Sequence, residues 1–198
     1  MKIYLASKSP RRHMLLKQMG VEYEVLAIDT AEEILPDETP EEYSNRVTLE
    51  KLDISWDKIV QEKLPLLPVL CADTEVVVDG AIYGKPKSYD DAYRMLKSYS
   101  GRSHEVITTT GIKFGAHQQL ATNITRVFFK TIPDAEIAHY LRIGDYHDKA
   151  GAYGIQSYIG QFVYRIEGCF YAVMGLPLSA VRELLSGLPK NSVKNTAT

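Results

Sequence analysis

Residues 2–6, Lys-Ile-Tyr-Leu-Ala, form a short apolar run that stops at Ser7-Lys8-Ser9-Pro10. A run of that length bounded by turn residues reads as a buried strand. Ser9 followed by Pro10 reads as an N-cap with proline at the first helical position. A strand followed at once by a helix opens a βα unit and commits the chain to a sheet with helices packed on it.

The punctuation continues in the same style. The first helix is expected to end at Gly20, and a strand near 23–28 leads into an acidic loop. Thr39-Pro40-Glu41-Glu42 is a capping box with proline at N1, opening a helix to about residue 60. Val69–Ala72 and Glu75–Val78 are strand-like, and Asp79-Gly80 turns a hairpin into Ala81-Ile82-Tyr83. Ser88-x-x-Asp91 caps a helix that stops at Gly101. Long strands are expected over about 104–113 and 119–131, then a helix near 134–143. Glu167-Gly168 reads as a second hairpin turn, joining 162–166 to 169–173, and a last helix covers about 177–186. The order predicts an α/β fold with a mixed, hairpin-rich sheet flanked by helices, not a strictly doubly wound parallel one. One domain over 1–188 is expected, followed by a polar tail over 189–198.

The 198 residues are 45% hydrophobic and 24% charged, which excludes disorder and fibrous repeats. Two cysteines, Cys71 and Cys169, can neither build a zinc site nor staple a scaffold, and both read as buried reduced thiols. No apolar run approaches the ~20 residues of a membrane span, and the start is too short in apolar residues for a signal peptide. A cytoplasmic protein is the expectation. A phosphate loop, a dinucleotide-binding glycine motif, an H-E-x-x-H helix and a G-x-S-x-G elbow are all absent, and the five histidines lack metal-ligand spacing.

Charge is informative only in its distribution. Lys plus Arg is 23 against 25 for Asp plus Glu, so there is no general field for nucleic acid or an anionic membrane. The first 20 residues, however, hold Lys2, Lys8, Arg11, Arg12 and Lys17 and no acid. Around Ser7-Lys8-Ser9-Pro10-Arg11-Arg12, free helix N-terminal amides and two guanidinium groups would converge, which makes an anion site. The alternative is a solvated helix end whose arginines pair with surface carboxylates. Asp73-Thr74 at the end of an apolar strand, with Gly84-Lys85-Pro86 shortly after, could set an acid beside a phosphate-binding amine, or could be a turn-capping Asp and a surface Lys. Lys149-Ala150-Gly151-Ala152-Tyr153-Gly154-Ile155-Gln156 allows close backbone approach and offers Gln156 to a base edge, or is a plain glycine loop with a surface amide.

Taken together, Leu5-Ala6-Ser7-x-Ser9-Pro10-Arg11-Arg12, Ala72-Asp73-Thr74, Gly84-Lys85-Pro86, Ser100-Gly101-Arg102-Ser103-His104, the 149–156 run and Val173-Met174-Gly175-Leu176-Pro177 closely resemble the Maf family. These are nucleoside triphosphate pyrophosphatases, also called septum-formation inhibitor proteins. The resemblance covers all but the tail. It implies a Maf/ITPase-like fold with a cleft between two lobes, and cleavage of a nucleoside triphosphate to the monophosphate and pyrophosphate with a divalent cation, Mg²⁺ or Mn²⁺. By resemblance Asp73 takes the place of the proton acceptor and is a metal ligand candidate. Arg11, Thr74 and Gln156 fall on positions linked to substrate choice, and Ser7, Arg12, Lys51 and Lys85 match further site positions. An acid of the Glu32-Glu33 pair matches a site glutamate, with Glu33 favoured as a second metal ligand.

The 149–156 run is similar to the subgroup acting on dTTP and UTP. The same chemistry on a modified or 7-methylated nucleotide, or a non-catalytic nucleotide-binding regulator of division, are the competing readings. A small-molecule partner, no nucleic acid and no membrane are implied, and a homodimer is compatible with the resemblance. Two departures stand out. Glu75 follows Thr74 where an apolar residue is usual, and it could either join the metal site or face solvent. Thr108-Thr109-Thr110 adds hydroxyls to a strand.

Overall fold

The computed structural model describes residues 1–189; the part of the expected tail from 190 onward lies outside the described residues. A seven-stranded sheet is built from β1 (Lys2–Leu5), β2 (Glu22–Val25), β3 (Val69–Val78), β4 (Ala81–Tyr83), β5 (Ser103–Phe114), β6 (His117–Phe129) and β7 (Val163–Glu167). Its order is β2-β1-β3-β5-β6-β7, with β4 paired to β3. β1 runs parallel to β2 and β3, and every other pairing is antiparallel. The mixed, hairpin-rich α/β sheet expected from the punctuation is what forms.

The helices are α1 (Pro10–Gln18), α2 (Pro40–Gln61), α3 (Tyr89–Tyr99), α4 (Asp134–Ile143), α5 (Phe170–Val173) and α6 (Leu178–Ser186). The capping box of α2 is complete: the Thr39 hydroxyl accepts from the Glu42 amide, and the Glu42 carboxylate accepts from the Thr39 amide at 2.9 Å. Ser88 caps α3 through the Asp91 amide. At α1 the side chain of Ser9 makes no cap; instead the Ser7 hydroxyl accepts from the Ser9 amide at 3.2 Å.

One edge of β3 is shared between two neighbours. β1 pairs with Val69 and Leu70, β4 pairs with Val76 to Val78, and between them that edge has no strand beside it. The other edge is paired with β5 continuously from Val69 to Val77. The sheet therefore splits at Cys71–Glu75, with β1, β2 and α1 on one side of the opening and β4 and α3 on the other. This split is the cleft between two lobes, and it explains why two short strand segments read from the sequence are one ten-residue strand.

Alternation along β3 sorts its side chains by face. Val69 and Cys71 enter the apolar cluster under α2, with Leu52 and Ile59, while Leu70 and Ala72 enter the larger cluster formed with α1, α3, α4 and α6. By the same period Asp73 and Glu75 fall on the α2 face and Thr74 on the α1 face. Burial pushes the Cys71 thiol up to about 12, so it is an inert packing residue, as expected.

The hairpin expected from 162–166 into 169–173 does not form. β7 pairs with β6 alone, and the chain then leaves the sheet. Gly168 takes φ 129°, a conformation closed to side chains, and a Cβ there would lie 2.7 Å from the Thr125 hydroxyl. That hydroxyl accepts from the Cys169 amide at 3.0 Å, turning the apolar run into α5. Cys-Phe-Tyr-Ala-Val is apolar at every position, so its period separates strand from helix poorly, and this contact with β6 decides.

Candidate active site

The split in the sheet opens into a cleft of about 1200 Å³. Ser7, Arg11, Arg12, Lys51, Asp73, Thr74, Lys85 and Gln156 all line it. Glu33 does not. Of the acidic pair it is Glu32, not the favoured Glu33, that the structure places in the cleft, with its carboxylate 2.7 Å from Lys51 Nζ. The backbone of the pair is fixed from α2: the Glu33 carbonyl accepts from Arg46 at 2.8 Å and the Glu32 carbonyl from the Tyr43 hydroxyl at 3.4 Å.

Lys51, from the fourth turn of α2, reaches across the α2 face of the sheet and donates to Asp73 Oδ1 at 2.6 Å. The ammonium thus bridges Asp73 and Glu32. Asp73 Oδ2 is buried without a donor, and the buried Glu75 carboxyl, two residues on along the same face of β3, is the neighbouring acid. Of two neighbouring buried carboxyls, one has its pKa raised. Burial opposes ionisation of Asp73, but the Glu75 carboxyl, the Lys51 charge and Arg12 together hold it below the usual carboxylate range. Burial, and then Asp73 itself, push Glu75 up to about 10, which favours the protonated form of Glu75 at neutral pH. Glu75, the departure from the family pattern, is thus a buried carboxyl lining the cleft beside Asp73 and does not face bulk solvent. For Lys51, burial works against the charge, and the two carboxylates outweigh it and raise its pKa.

Arg12 serves the other face. Its Nε donates to the Gly175 carbonyl at 2.9 Å, one terminal nitrogen to the Ser7 hydroxyl at 3.3 Å, and the other to the Thr74 hydroxyl at 3.0 Å. Three of its five N–H groups are thereby committed to the protein, leaving two for a ligand. Thr74 stands 3.1 Å from the Thr108 hydroxyl, which lies 2.8 Å from the Ala172 carbonyl. The single Thr108 proton is within reach of both acceptors, the Thr74 hydroxyl and the Ala172 carbonyl, so Arg12, Thr74, Thr108 and Ala172 of α5 form one connected set of hydrogen-bonding groups. This accounts for one hydroxyl of the threonine run. A second, Thr109, donates to Asn45 Oδ1 at 3.0 Å.

The other side groups are free. Arg11, Lys85 and Gln156 have no side-chain hydrogen-bond or ion-pair partner among the described residues. Burial lowers the Arg11 pKa, and Asp145 partly offsets it; as an arginine it stays charged. The Lys85 turn is tied to the loop carrying Gln156, because the Gly151 amide donates to the Gly84 carbonyl at 3.0 Å.

Reading of the sequence missed Arg46. Its guanidinium grips Glu38 at 2.6 and 2.8 Å, Glu50 at 2.9 Å and the Glu33 carbonyl at 2.8 Å, fastening the acidic loop that carries Glu32 to α2. The Arg46/Glu50 spacing of four was a legible signal; the reach to the loop was not.

A divalent cation is implied by the family resemblance. The donors fit in kind: Glu32 and Asp73 are hard oxygen ligands, and Oδ2 of Asp73 is buried without an ordinary donor. Among the described residues no cluster of three or more acidic, His or Cys side chains could hold a metal unaided. Magnesium characteristically takes one or two carboxylates and completes its shell from substrate phosphates and water.

Fold and cleft together define an α/β protein whose sheet splits into a cleft lined by Arg11, Arg12, Lys51 and Lys85, one face carrying a lysine-held carboxylate. Residues 2–188 match the family model described as Maf-like protein. The dTTP/UTP pyrophosphatase of Chromobacterium violaceum is 46% identical over 185 residues, 93% of each chain. That of Nitrosomonas europaea is 43% identical over 191 residues, 92% of each chain. That of Photobacterium profundum is 46% identical over 178 residues, 89% of this chain and 91% of its own. Among solved structures, the Staphylococcus aureus Ham1 protein matches 65% of this chain and 72% of its own at 14% identity with a TM-score of 0.43. The chain belongs to the Maf-like family.

Proposed function

We propose that this protein hydrolyses nucleoside triphosphates, dTTP and UTP foremost, to the monophosphate and pyrophosphate. The observation that carries the reading is convergence. Residues from α1, α2, β3, the Lys85 turn and the 148–156 loop meet at one split in the sheet, and relatives bearing the dTTP/UTP pyrophosphatase name match over nine-tenths of the chain.

In this reading Arg11 and Lys85, with the two uncommitted N–H groups of Arg12, neutralise the triphosphate and set its α-phosphorus against Asp73. Asp73 Oδ1 accepts from Lys51 and keeps a further lone pair, and Oδ2 has no hydrogen-bond partner among the described residues. A water held there is aimed for in-line attack on the α-phosphorus, with pyrophosphate leaving opposite. An efficient general base has a pKa near the working pH. Asp73 is held below its ordinary range, which favours orienting and polarising that water over storing its proton. A divalent cation held by Asp73 and Glu32 would supply Lewis-acid polarisation of the phosphoryl oxygens. Gln156 and the backbone of its loop hydrogen-bond a pyrimidine edge, and a site built for those bonds rejects bases that leave them unmade. The substrate is a free nucleotide, and the reaction belongs in the cytoplasm; among the described residues no helix is long and apolar enough to cross a membrane.

The test is a pyrophosphate-release screen over canonical and modified triphosphates with Mg²⁺ and Mn²⁺. UTP and dTTP should lead, with ATP and GTP poor. Equal turnover of purines would end the specificity claim, and nucleotide binding without release of pyrophosphate would establish the regulator instead.

A further inference from the structure

The loop that carries Gln156 is gripped from behind by residues that do not line the cleft. Tyr99, the last residue of α3, and His104, early in β5, are both buried. His104 Nε2 lies 2.7 Å from the Tyr153 hydroxyl, and the Tyr99 hydroxyl donates to the Gly151 carbonyl. The three rings pack as a triangle, with centroids 4.7 Å apart for Tyr99–His104, 5.4 Å for His104–Tyr153 and 5.7 Å for Tyr99–Tyr153, and Phe129 closes it 5.3 Å from Tyr153.

The gripped backbone is unusual. Asp148, Gly151 and Ala152 all take left-handed φ, at 57°, 65° and 61°. For Ala152 this is a strained conformation that persists only where surroundings impose it. A Cβ on Gly151 would lie 2.7 Å from a Val76 methyl, so the loop rests directly on β3 two residues beyond Thr74. A loop in such a conformation, with a single buried imidazole holding its central side chain, has its shape set by the residues behind it. Burial pushes His104 down to about 4, so at neutral pH it acts as an uncharged hydrogen-bonding group.

We propose that His104 is a positioning residue for base selection: through Tyr153 it holds the 148–156 loop in the conformation from which Gln156 and its backbone neighbours read a pyrimidine. This rests on the reading above that the loop faces the base. It goes beyond it in assigning selectivity to a residue that cannot touch the ligand, and it separates selectivity from chemistry, since His104 has no contact with the Asp73–Lys51 network.

The experiment measures binding of α,β-methylene-UTP and α,β-methylene-GTP by calorimetry, together with steady-state UTP turnover, for wild type, His104→Phe, His104→Gln and Tyr153→Phe. His104→Phe retains a flat ring and deletes the hydrogen bond; His104→Gln retains a donor. His104→Phe should weaken the UTP analogue by about tenfold, the scale of one buried hydrogen bond, while changing GTP-analogue binding by less than about twofold. KM for UTP should rise by a similar factor with kcat within about threefold, and His104→Gln should recover most of the discrimination. Tyr153→Phe, which deletes the other end of the same bond, should reproduce the loss, and it stands in if His104→Phe does not fold. Weakening of both analogues alike, or retained discrimination with only a lowered melting temperature, overturns the proposal. If the wild type itself does not discriminate, the base-reading premise fails and the proposal falls with it. Discrimination by wild type that survives in both variants sinks the proposal alone.

Discussion

Arg11 and Arg12 are consecutive and both line the cleft, yet they belong to walls made in opposite ways. On one wall Arg12, Lys51, Asp73 and Thr74 are each tied to the protein by ion pairs and hydrogen bonds. On the other, Arg11, Lys85 and Gln156 have side chains with no such partner among the described residues. The committed wall lies at the split in β3, where groups must be in place before the substrate arrives, because reorganisation during reaction is what preorganised electrostatics avoids. The uncommitted wall keeps its hydrogen-bonding capacity for the ligand. On the proposed reading positive charge at this site has two uses: Lys51 holds a carboxylate in position, and Arg11 and Lys85 meet phosphate.

The strongest attempt to break this division is Asp73→Asn. Loss of the charge that aims the water should lower kcat by ~10²–10⁴-fold, the range for acid–base assistance, with the fold retained because Asn can still accept from Lys51. Pyrophosphate release near the wild-type rate would remove Asp73 from the chemistry. Next comes Lys51→Met, which leaves two carboxylates facing each other without their bridge. Breaking a buried pair from one side costs ~3–5 kcal/mol, to be read as a lowered urea midpoint together with loss of turnover. An unchanged midpoint would mean the bridge does not hold the wall.

A smaller effect sharpens the contrast between the two arginines. Arg11→Ala should raise KM by about tenfold, on the scale of a charge-assisted hydrogen bond, with kcat and melting temperature little altered. Arg12→Lys, which cannot reach Gly175, Ser7 and Thr74 together, should lower melting temperature and kcat both. If the two substitutions behave alike in all three measurements, the distinction between walls is false.

Much of this was legible in the chain. Capping hydroxyls marked α2 and α3 and Pro10 marked α1, while the residues after β1 and those read as the end of a short strand, which lie in the middle of β3, identified the cleft. Three features were not, each for a physical reason. The segment 169–173 is apolar at every position, so only the Thr125 contact decides between strand and helix. Glu32 and Glu33 lie in a loop that has no period of its own and whose backbone is fixed from α2 by Tyr43 and Arg46. Commitment of Arg12 could not be read from Ser-Pro-Arg-Arg, because the carbonyl that binds it comes from Gly175, at the far end of the chain.

The smallest effect tests whether the committed wall contains a proton. Glu75 is pushed up to about 10, first by burial and then by Asp73. A group whose pKa is raised on folding contributes stability that is fully present below its unfolded value, near 4.5, and is lost as pH rises toward the folded one. Asp73 has the opposite sign, its contribution being present above about 3.8 and lost as pH falls toward its lowered value. Glu75→Gln keeps an N–H donor for Asp73 but cannot ionise, so it removes the alkaline loss and leaves the acid one. Melting temperature followed from pH 5 to pH 9 should therefore show the variant gaining steadily on the wild type as pH rises, with the two closest near pH 5. Parallel profiles would mean that Glu75 is ionised in the folded protein. Asp73 would then face a second negative charge, and Lys51 alone would have to hold both. A wall in that state would take up a proton on binding an anion, whereas one whose proton already sits on Glu75 would not.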